Sequence, residues 1–164
     1  MIQRKQTLYL LAVAAISITV TLLNLTLYSG KYKMGEENFN YKMGIMKTEF
    51  YSDVQSDVKV PPVKNNAMMY FALLSGIVPF VAIFLFKKLE IQIRFAALNF
   101  VLIAGFFVYI YITNHQLEKS LVGLSNNHFS WNMSILSFIP IFNWLAIRGI
   151  KKDIELLASV DRLR

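Results

Sequence analysis

The sequence predicts an all-α membrane protein, a four-transmembrane-helix bundle with a small cap on one side and a C-terminal helical extension on the other. Apolar residues make up 55% of the 164 residues and charged residues only 16%, whereas soluble domains carry about 25% charged residues. Residues 6–30, 65–86, 95–117 and 120–147 contain no Asp, Glu, Lys or Arg, and a spanning helix needs about 20 mainly apolar residues. A soluble bundle is disfavoured, because its helices would show a charged stripe at helical spacing.

The first predicted span covers residues 7–28, behind Arg4 and Lys5. A basic start followed by an apolar run also describes a signal peptide, but the apolar region of a signal is about 7–15 residues long and ends at a small-residue cleavage site. This run is longer and no such site follows it. We therefore predict a span that is retained.

Residues 29–66 form the one long polar segment and are predicted to be a small ordered cap rather than a free linker. Tyr32–Gly35 recurs as Tyr41–Gly44, which either marks two similar hairpin turns or is a chance repeat. Residues 47–59 alternate aromatic, β-branched and charged types and favour a further strand. The prolines at 61–62 are expected to end regular structure before the next span.

The second and third predicted spans cover residues 67–86 and 95–113. Residues 87–94 join them by a short link, so the two spans should be antiparallel neighbours. Gly76 and Pro79 predict a kink in the second span, which a membrane helix tolerates when neighbouring helices satisfy the freed carbonyl group.

The fourth predicted span covers residues 128–147, with Trp131 and Trp144 near its ends, as in the aromatic belts of membrane helices. The tail, residues 148–164, is predicted to continue the helix beyond the membrane. Its apolar side chains recur at helical spacing and form a candidate docking stripe of Ile150, Ile154 and Leu157. Three surfaces remain open as its contact: the link 87–94 of the same chain, an external protein, or lipid.

The charges predict the orientation of the spans. Residues 1–5, 87–94 and 148–164 carry ten basic and four acidic residues, a net charge of +6. The remaining segments carry seven basic and six acidic residues, a net charge of +1. Because basic residues near span ends favour the cytoplasm, both termini are predicted to be cytoplasmic.

Two end motifs resemble a known family. The opening MIQRKQTLYLLAVA is similar to the MIQR-x-QT-x-YLL start of an uncharacterised four-span membrane protein family of Bacteroidota, and the closing NWLAIRGIKKDIELLASVDRLR is similar to its IKKD…S-x-DRLR end. Ile154 departs from the acidic residue expected there, which makes the stripe more apolar in this chain. The resemblance implies a bacterial inner membrane, and so a periplasmic loop at residues 29–66, but no activity.

Signatures of catalysis and of cofactor binding are absent from the sequence. It contains no cysteine, no HExxH, no GxSxG and no P-loop. His115 and His128 flank one loop and suggest metal or haem, but a site needs more ligands, so interfacial polar residues are the preferred interpretation. We therefore predict no enzyme, no metal and no cofactor.

Four amides are the most polar groups of the apolar runs: Asn24, Asn99, Asn132 and Asn143. They either line a small polar path or, as is more common, form hydrogen bonds between helices. The glycosylation sequons at residues 24–26 and 132–134 are discounted, because both lie within predicted spans.

Two functions follow as hypotheses. The first is a non-catalytic accessory or scaffold subunit of a membrane protein complex, and the alternative is a small oligomeric transporter or channel. The predicted partners are the lipid bilayer and either a membrane protein or a second copy of the chain. The net charge of +7 does not indicate nucleic acid, because the basic residues cluster at the ends of apolar runs, where lipid headgroups lie.

Overall fold

The computed structural model describes residues 5–34, 37–52, 60–120 and 126–161. Its four helices are α1 (Lys5–Leu22), α2 (Asn66–Phe84), α3 (Leu89–Ser120) and α4 (Trp131–Asp161). All four are long and apolar enough to cross a membrane, which makes them candidate spans of a multi-pass membrane protein. The predictions that concern residues 1–4, 53–59 and 162–164 lie outside the described residues.

The all-α prediction is wrong, because the described residues also form a five-stranded antiparallel sheet with the order β4-β3-β2-β1-β5. The strands are β1 (Thr26–Met34), β2 (Glu37–Gly44), β3 (Lys47–Ser52), β4 (Val60–Lys64) and β5 (Asn126–Phe129). Alternation is their signal, because successive side chains of a strand point to opposite faces. In β2, Tyr41 and Met43 are fully buried while Lys42 between them is exposed.

Helix α1 ends at Leu22, earlier than the predicted span end at residue 28, because a cap closes it. Asn24 adopts a left-handed backbone with φ 46°. The N–H of Leu25 donates to Val20 O (3.3 Å) and that of Asn24 to Thr21 O (3.1 Å). This is the Schellman arrangement, in which one left-handed residue satisfies the last carbonyl groups of a helix. The chain therefore enters β1 where the apolar run still continues.

Helix α4 begins at Trp131, later than the predicted span start at residue 128, because His128 and Phe129 belong to β5. Strand β5 pairs with β1, with His128 opposite Ser29 and Phe129 opposite Tyr28. At its other end α4 extends without interruption to Asp161. The helix therefore continues through the described part of the tail.

The prediction that the prolines at 61–62 end regular structure is wrong, since both lie within β4. This strand forms one edge of the sheet, where a residue without an N–H is tolerated. Its pairing with β3 is irregular at this point: Val63 lies opposite Thr48 and Val60 opposite Phe50. The tandem proline thus occupies a bulge at the edge of the sheet.

The element order places the whole sheet at one end of the helix bundle. Strands β1 to β4 lie between α1 and α2, and β5 lies between α3 and α4 yet pairs with β1. We call this end the sheet end. The start of α1, the link between α2 and α3, and the last turns of α4 lie at the opposite end, which we call the tail end.

A single apolar cluster joins the inner face of the sheet to the helices. The aromatic side chains of Tyr28, Tyr41 and Phe50 from the sheet belong to the same cluster as Phe106 and Ile110 from α3. Tyr41 and Ile110 are fully buried. The sheet is therefore a packed layer on the end of the bundle.

Helices α1 and α2 approach each other closely at small residues. A Cβ atom on Gly76 would lie 3.0 Å from Ile18 Cγ1 and 3.3 Å from Ser17 Cβ. Ser75 Oγ lies 3.3 Å from Ser17 Oγ. Membrane helices pack through small residues in this way, because lipid provides no hydrophobic drive for their association.

Candidate binding surfaces

Asn99 and Asn143, two of the amides singled out in the sequence, meet between α3 and α4. Asn99 Nδ2 donates to Asn143 Oδ1 (3.1 Å), and Asn143 Nδ2 donates to Ala96 O (3.0 Å). Both side chains are fully buried, and Asn99 Oδ1 has no hydrogen-bond partner among the described residues. Hydrogen bonds of this kind contribute about 1 kcal/mol in a membrane, so the pair ties the two helices together.

The other two amides attach the sheet to the helices instead of lying between helices. Asn24 Oδ1 accepts a hydrogen bond from the backbone N–H of Met46 (2.8 Å), and Asn132 Nδ2 donates to Thr26 O (3.0 Å). A Cβ atom on Gly44 would lie 2.6 Å from Asn24 Oδ1. Gly44, the last residue of the repeat copy Tyr41–Gly44, is therefore a position where a side chain would clash with Asn24.

The candidate docking stripe divides into a covered half and an open half. Ile150 is fully buried in a cluster with Leu10 and Leu89, and Ile154 packs partly against that cluster. Leu157 is 53% exposed. The first half of the stripe therefore contacts the chain's own helices and link, and the second half is left uncovered among the described residues.

A groove of about 480 Å³ lies between the end of α4 and the link that precedes α3. We call it the tail groove, and its lining includes Lys87, Lys88, Leu89, Ile91, Ile154 and Leu157. Ala158 and Glu90 complete the lining. The groove therefore combines an aliphatic floor with two ammonium groups and one carboxylate.

Aromatic residues next to basic ones mark the level of the tail groove relative to the apolar spans. The Arg148 guanidinium lies 5.6 Å from the ring centre of Trp144, and Lys87 Nζ lies 6.0 Å from that of Phe86. Trp144 is 51% exposed. Exposed Trp beside a basic side chain is the pattern found at membrane–water interfaces, and Lys87, which lies next to Phe86, also lines the tail groove.

Two buried glutamines at the tail end were missed by sequence reasoning. Gln92 is fully buried and its Nε2 donates to Ala82 O (3.1 Å) across the link. Gln6 is buried beside Gly149, where a Cβ atom would lie 3.2 Å from Gln6 Cβ. Gln6 Nε2 has no partner among the described residues. In the sequence, these glutamines appear only as amides next to apolar runs. Solvent-exposed amides look the same, so their burial could not be predicted.

The two histidines line different cavities. His115 Nδ1 lies 3.8 Å from Glu118 Oε2, in a cavity of about 270 Å³ that also includes Tyr28 and Tyr111. His128 lies on the outer face of the sheet. Within residues 5–34, 37–52, 60–120 and 126–161, no three His, Asp or Glu side chains group in a way that suits a metal ion.

Two tyrosines on the inner face of the sheet, Tyr28 and Tyr41, have raised pKa values. Burial, together with the negative charge of Glu118, raises the pKa of Tyr41 to about 12. Burial and then Glu118 also raise the pKa of Tyr28. Both phenols are therefore neutral hydrogen-bonding groups at physiological pH.

The outer face of the sheet carries a polar groove that sequence reasoning missed. Its volume is about 340 Å³. We call it the outer groove, and its lining includes Ser29, Lys31, Asn40, Lys42, Tyr51 and His128. Lys31 and Lys33, at alternate positions of β1, were a signal of an exposed face, but the register that brings four strands together was needed to see the groove.

Comparisons with known proteins give a family but no activity. A comparison with curated proteins finds no match. The model of the family described as "domain of unknown function (DUF4293)" matches residues 2–163, nearly the whole chain. This four-helix, sheet-capped chain therefore belongs to that domain family of unknown function.

Proposed function

We propose that this protein is a non-catalytic accessory subunit of a complex in the bacterial inner membrane, and that its tail groove receives an amphipathic helix of a membrane protein partner. The observation that carries the proposal is the open half of the docking stripe. Leu157, which lines the tail groove, is 53% exposed, whereas Ile150 of the same stripe is fully buried. Covering such a side chain fully is worth roughly 1.5 to 3 kcal/mol.

The chemistry of the tail groove selects among the possible occupants. Its floor is aliphatic, which suits the apolar face of a helix laid into a groove. Lys87 and Lys88 outnumber Glu90 in its lining, so a partner helix with acidic residues beside its apolar face is complementary. The neighbouring pair of Trp144 and Arg148, typical of a membrane–water interface, supports a partner segment that emerges from the same membrane.

The rigidity of the surroundings supports a docking role. The groove wall on α4 belongs to one helix that runs unbroken from Trp131 to Asp161. Ile150 anchors this helix in the bundle immediately before the open half begins. Because the α4 wall is held before a partner arrives, docking on it costs little ordering of this helix.

Photo-crosslinking in living cells tests the proposal. A benzophenone amino acid replaces Leu157 in the tail groove, and matched controls replace Val101, which is 67% exposed on the apolar surface of α3, and Ser159, which is exposed on the tail outside the groove lining. We expect one protein adduct of defined mass from Leu157 and none from Ser159. The sequence of the crosslinked partner peptide should show apolar residues at helical spacing. It should also carry Asp or Glu within one turn of the crosslinked residue.

A charge-reversing variant sharpens the result. Lys87→Glu combined with Lys88→Glu should abolish the Leu157 adduct while leaving the amount of membrane-inserted protein unchanged. An adduct that contains only lipid would contradict the proposal and make the groove a lipid contact. An adduct with a second copy, formed through Val101 as well as Leu157, would instead favour the small oligomeric transporter or channel.

A further inference from the structure

Two aromatic side chains at the junction of β5 and α4 are almost uncovered. Trp131, the first residue of α4, is 88% exposed, and Phe129, the last residue of β5, is 71% exposed. These are the highest values among the described aromatic side chains. Because removing apolar rings from water is favourable, a surface that covers both rings would stabilise this junction.

Phe129 lies on the face of the sheet that points toward the bundle. It is paired with Tyr28 of β1, and the centres of the two rings lie 4.8 Å apart. Tyr28 is buried in the apolar cluster that joins the sheet to the helices, whereas Phe129 is left uncovered. Since β5 is an edge strand, this edge of the sheet overhangs the bundle and carries an apolar ring on the side toward the helices.

The outward surface of α3 continues from the ring of Phe129. Phe129 and Tyr28 line the cavity of about 270 Å³ together with Tyr111 of α3. Tyr111 is 66% exposed, and Val108, one turn earlier, is exposed as well. Both belong to a helix that is long and apolar enough to cross a membrane. The exposed ring of Phe129 is therefore continuous with the surface that a membrane-spanning α3 turns toward lipid.

Trp131 lies at the level where α1 ends and α4 begins. Asn132 Nδ2 donates to Thr26 O (3.0 Å), which holds the start of α4 beside the start of β1. Leu22, at the end of α1, and Leu23 after it are both exposed and precede Thr26 by only a few residues. An exposed tryptophan and two exposed leucines thus mark the sheet end of two candidate spans.

The spacing of the aromatic residues along the helices matches the thickness of a bilayer. Tyr111 follows Arg94 by 17 residues on α3, and Trp131 precedes Arg148 by 17 residues on α4. At 1.5 Å per residue each separation is about 26 Å, slightly less than the roughly 30 Å of a hydrocarbon core. Each helix therefore places a basic residue at one boundary of a bilayer and an exposed aromatic ring at the other.

We propose that Tyr111, Phe129 and Trp131 form an interfacial anchor, which inserts into the boundary between headgroups and acyl chains and holds the β5 edge of the sheet on the membrane surface. Tyr and Trp favour this boundary because each has an apolar ring and a hydrogen-bond donor. Lipid is the occupant that fits, because the exposed rings continue the outward surface of the candidate spans. The anchor sets the height of the sheet, so that the outer groove faces away from the membrane.

Tryptophan fluorescence tests the anchor with the whole chain, which contains two tryptophans. Trp144→Phe leaves Trp131 as the only one, and the protein is reconstituted in phosphatidylcholine vesicles at a high ratio of lipid to protein. Bromine atoms on the acyl chains quench tryptophan on contact. We expect a large loss of Trp131 emission when bromine lies near the headgroup and a smaller loss when it lies near the end of the acyl chain.

Adjacent positions of β5 provide a matched control for the face of the strand. In a chain that carries Trp131→Phe and Trp144→Phe, the substitution Phe129→Trp places a single tryptophan on the side toward the helices. His128→Trp places it instead on the outer face, where His128 lines the outer groove. We expect brominated lipid to quench the Phe129→Trp variant, and dissolved iodide to quench the His128→Trp variant.

Three results would overturn the proposal. Equal quenching of the Phe129→Trp and His128→Trp variants by brominated lipid would mean that the strand has no lipid-facing side. Quenching of Phe129→Trp by iodide but not by brominated lipid would place the edge of the sheet in water. Protection of Phe129→Trp from both quenchers would mean that a second copy of the chain, and not lipid, covers the rings.

Discussion

The two ends of the molecule handle their apolar surface in opposite ways. At the sheet end, Tyr41 is fully buried against the bundle, and the centre of the apolar face is covered by the protein's own helices, while Phe129 of the edge strand β5 is 71% exposed. At the tail end, Ile150 is fully buried but Leu157, two turns later on the same helix, is 53% exposed. The centre of the sheet is thus covered within the described chain, whereas the tail end leaves a groove lined by aliphatic side chains and two lysines.

This difference indicates which kind of surface each end offers to a binding partner. The central strands of the sheet end turn their apolar side chains inward, so polar groups such as Lys31 and Lys42 are exposed on the outer face. The tail end keeps apolar side chains outward, so its surface suits another protein segment. Side chains in the covered centre of the sheet should therefore contribute to stability, and side chains in the open tail groove should contribute to binding.

The largest effect is expected from Tyr41→Ala. Removing a fully buried aromatic side chain costs roughly 3 to 5 kcal/mol, so the thermal unfolding midpoint in detergent should fall strongly. Lys42→Ala, at the exposed next position of the same strand, is the control and should change the midpoint only slightly. A similar decrease for both variants would mean that the inner face of the sheet is not the packed layer between the strands and the bundle.

The two halves of the docking stripe should differ in the purified protein. Ile150→Ala removes a fully buried side chain and should cost about 2 to 5 kcal/mol of stability. Leu157→Ala should leave the unfolding midpoint of the isolated protein nearly unchanged, because half of this side chain already meets solvent. Equal destabilisation by the two variants would show that the stripe is covered along its whole length by the chain itself.

The close approach of α1 and α2 lies between the two ends of the molecule. A substitution there is expected to have a smaller effect on stability. Gly76→Ala introduces a Cβ atom 3.0 Å from Ile18 Cγ1 and should cost about 1 to 3 kcal/mol. The matched control is Gly105→Ala, whose Cβ atom would lie 3.5 Å from Phe71 Cε1, an ordinary contact. If Gly105→Ala destabilises the protein as much as Gly76→Ala, then the close contact between α1 and α2 is not the cause of the lost stability.

The smallest effect concerns pH and only the sheet end. The ordinary pKa of tyrosine is 10.0, and burial raises that of Tyr41 to about 12. Between these pH values the unfolded chain loses a proton that the folded chain keeps, so stability falls as pH rises through this window. In Tyr41→Phe the decrease between pH 10 and 12 should be shallower, as measured by chemical denaturation. An unchanged slope would show that Tyr41 is not responsible.

Parts of this architecture were visible in the sequence because they produce long uniform signals. The four apolar runs and the stripe of Ile150, Ile154 and Leu157 each extend over several helical turns. The ends of the first and fourth spans were placed incorrectly. The cap at Asn24 depends on one left-handed residue, and β5 is a four-residue strand that is defined by its pairing with distant β1.

The sites divide in the same manner. Asn99 and Asn143 were recognisable as amides in apolar runs, and their meeting follows from the packing of two adjacent helices. The outer groove combines residues from β1, β2, β3 and β5. No local pattern in the sequence fixes the order β3-β2-β1-β5, so the proximity of Tyr51, Lys42 and His128 required the folded chain.

Cysteine accessibility tests the central claim, that a partner covers the open tail groove in the membrane. The chain has no cysteine, so Ala158→Cys in the groove and Ser159→Cys beside it each give one reactive thiol. In the purified protein and in liposomes of extracted lipid, the two should react equally fast with a charged thiol reagent. In native membranes opened by sonication, the account predicts that Ala158→Cys becomes protected while Ser159→Cys stays reactive. Equal reactivity of both thiols in native membranes would contradict it.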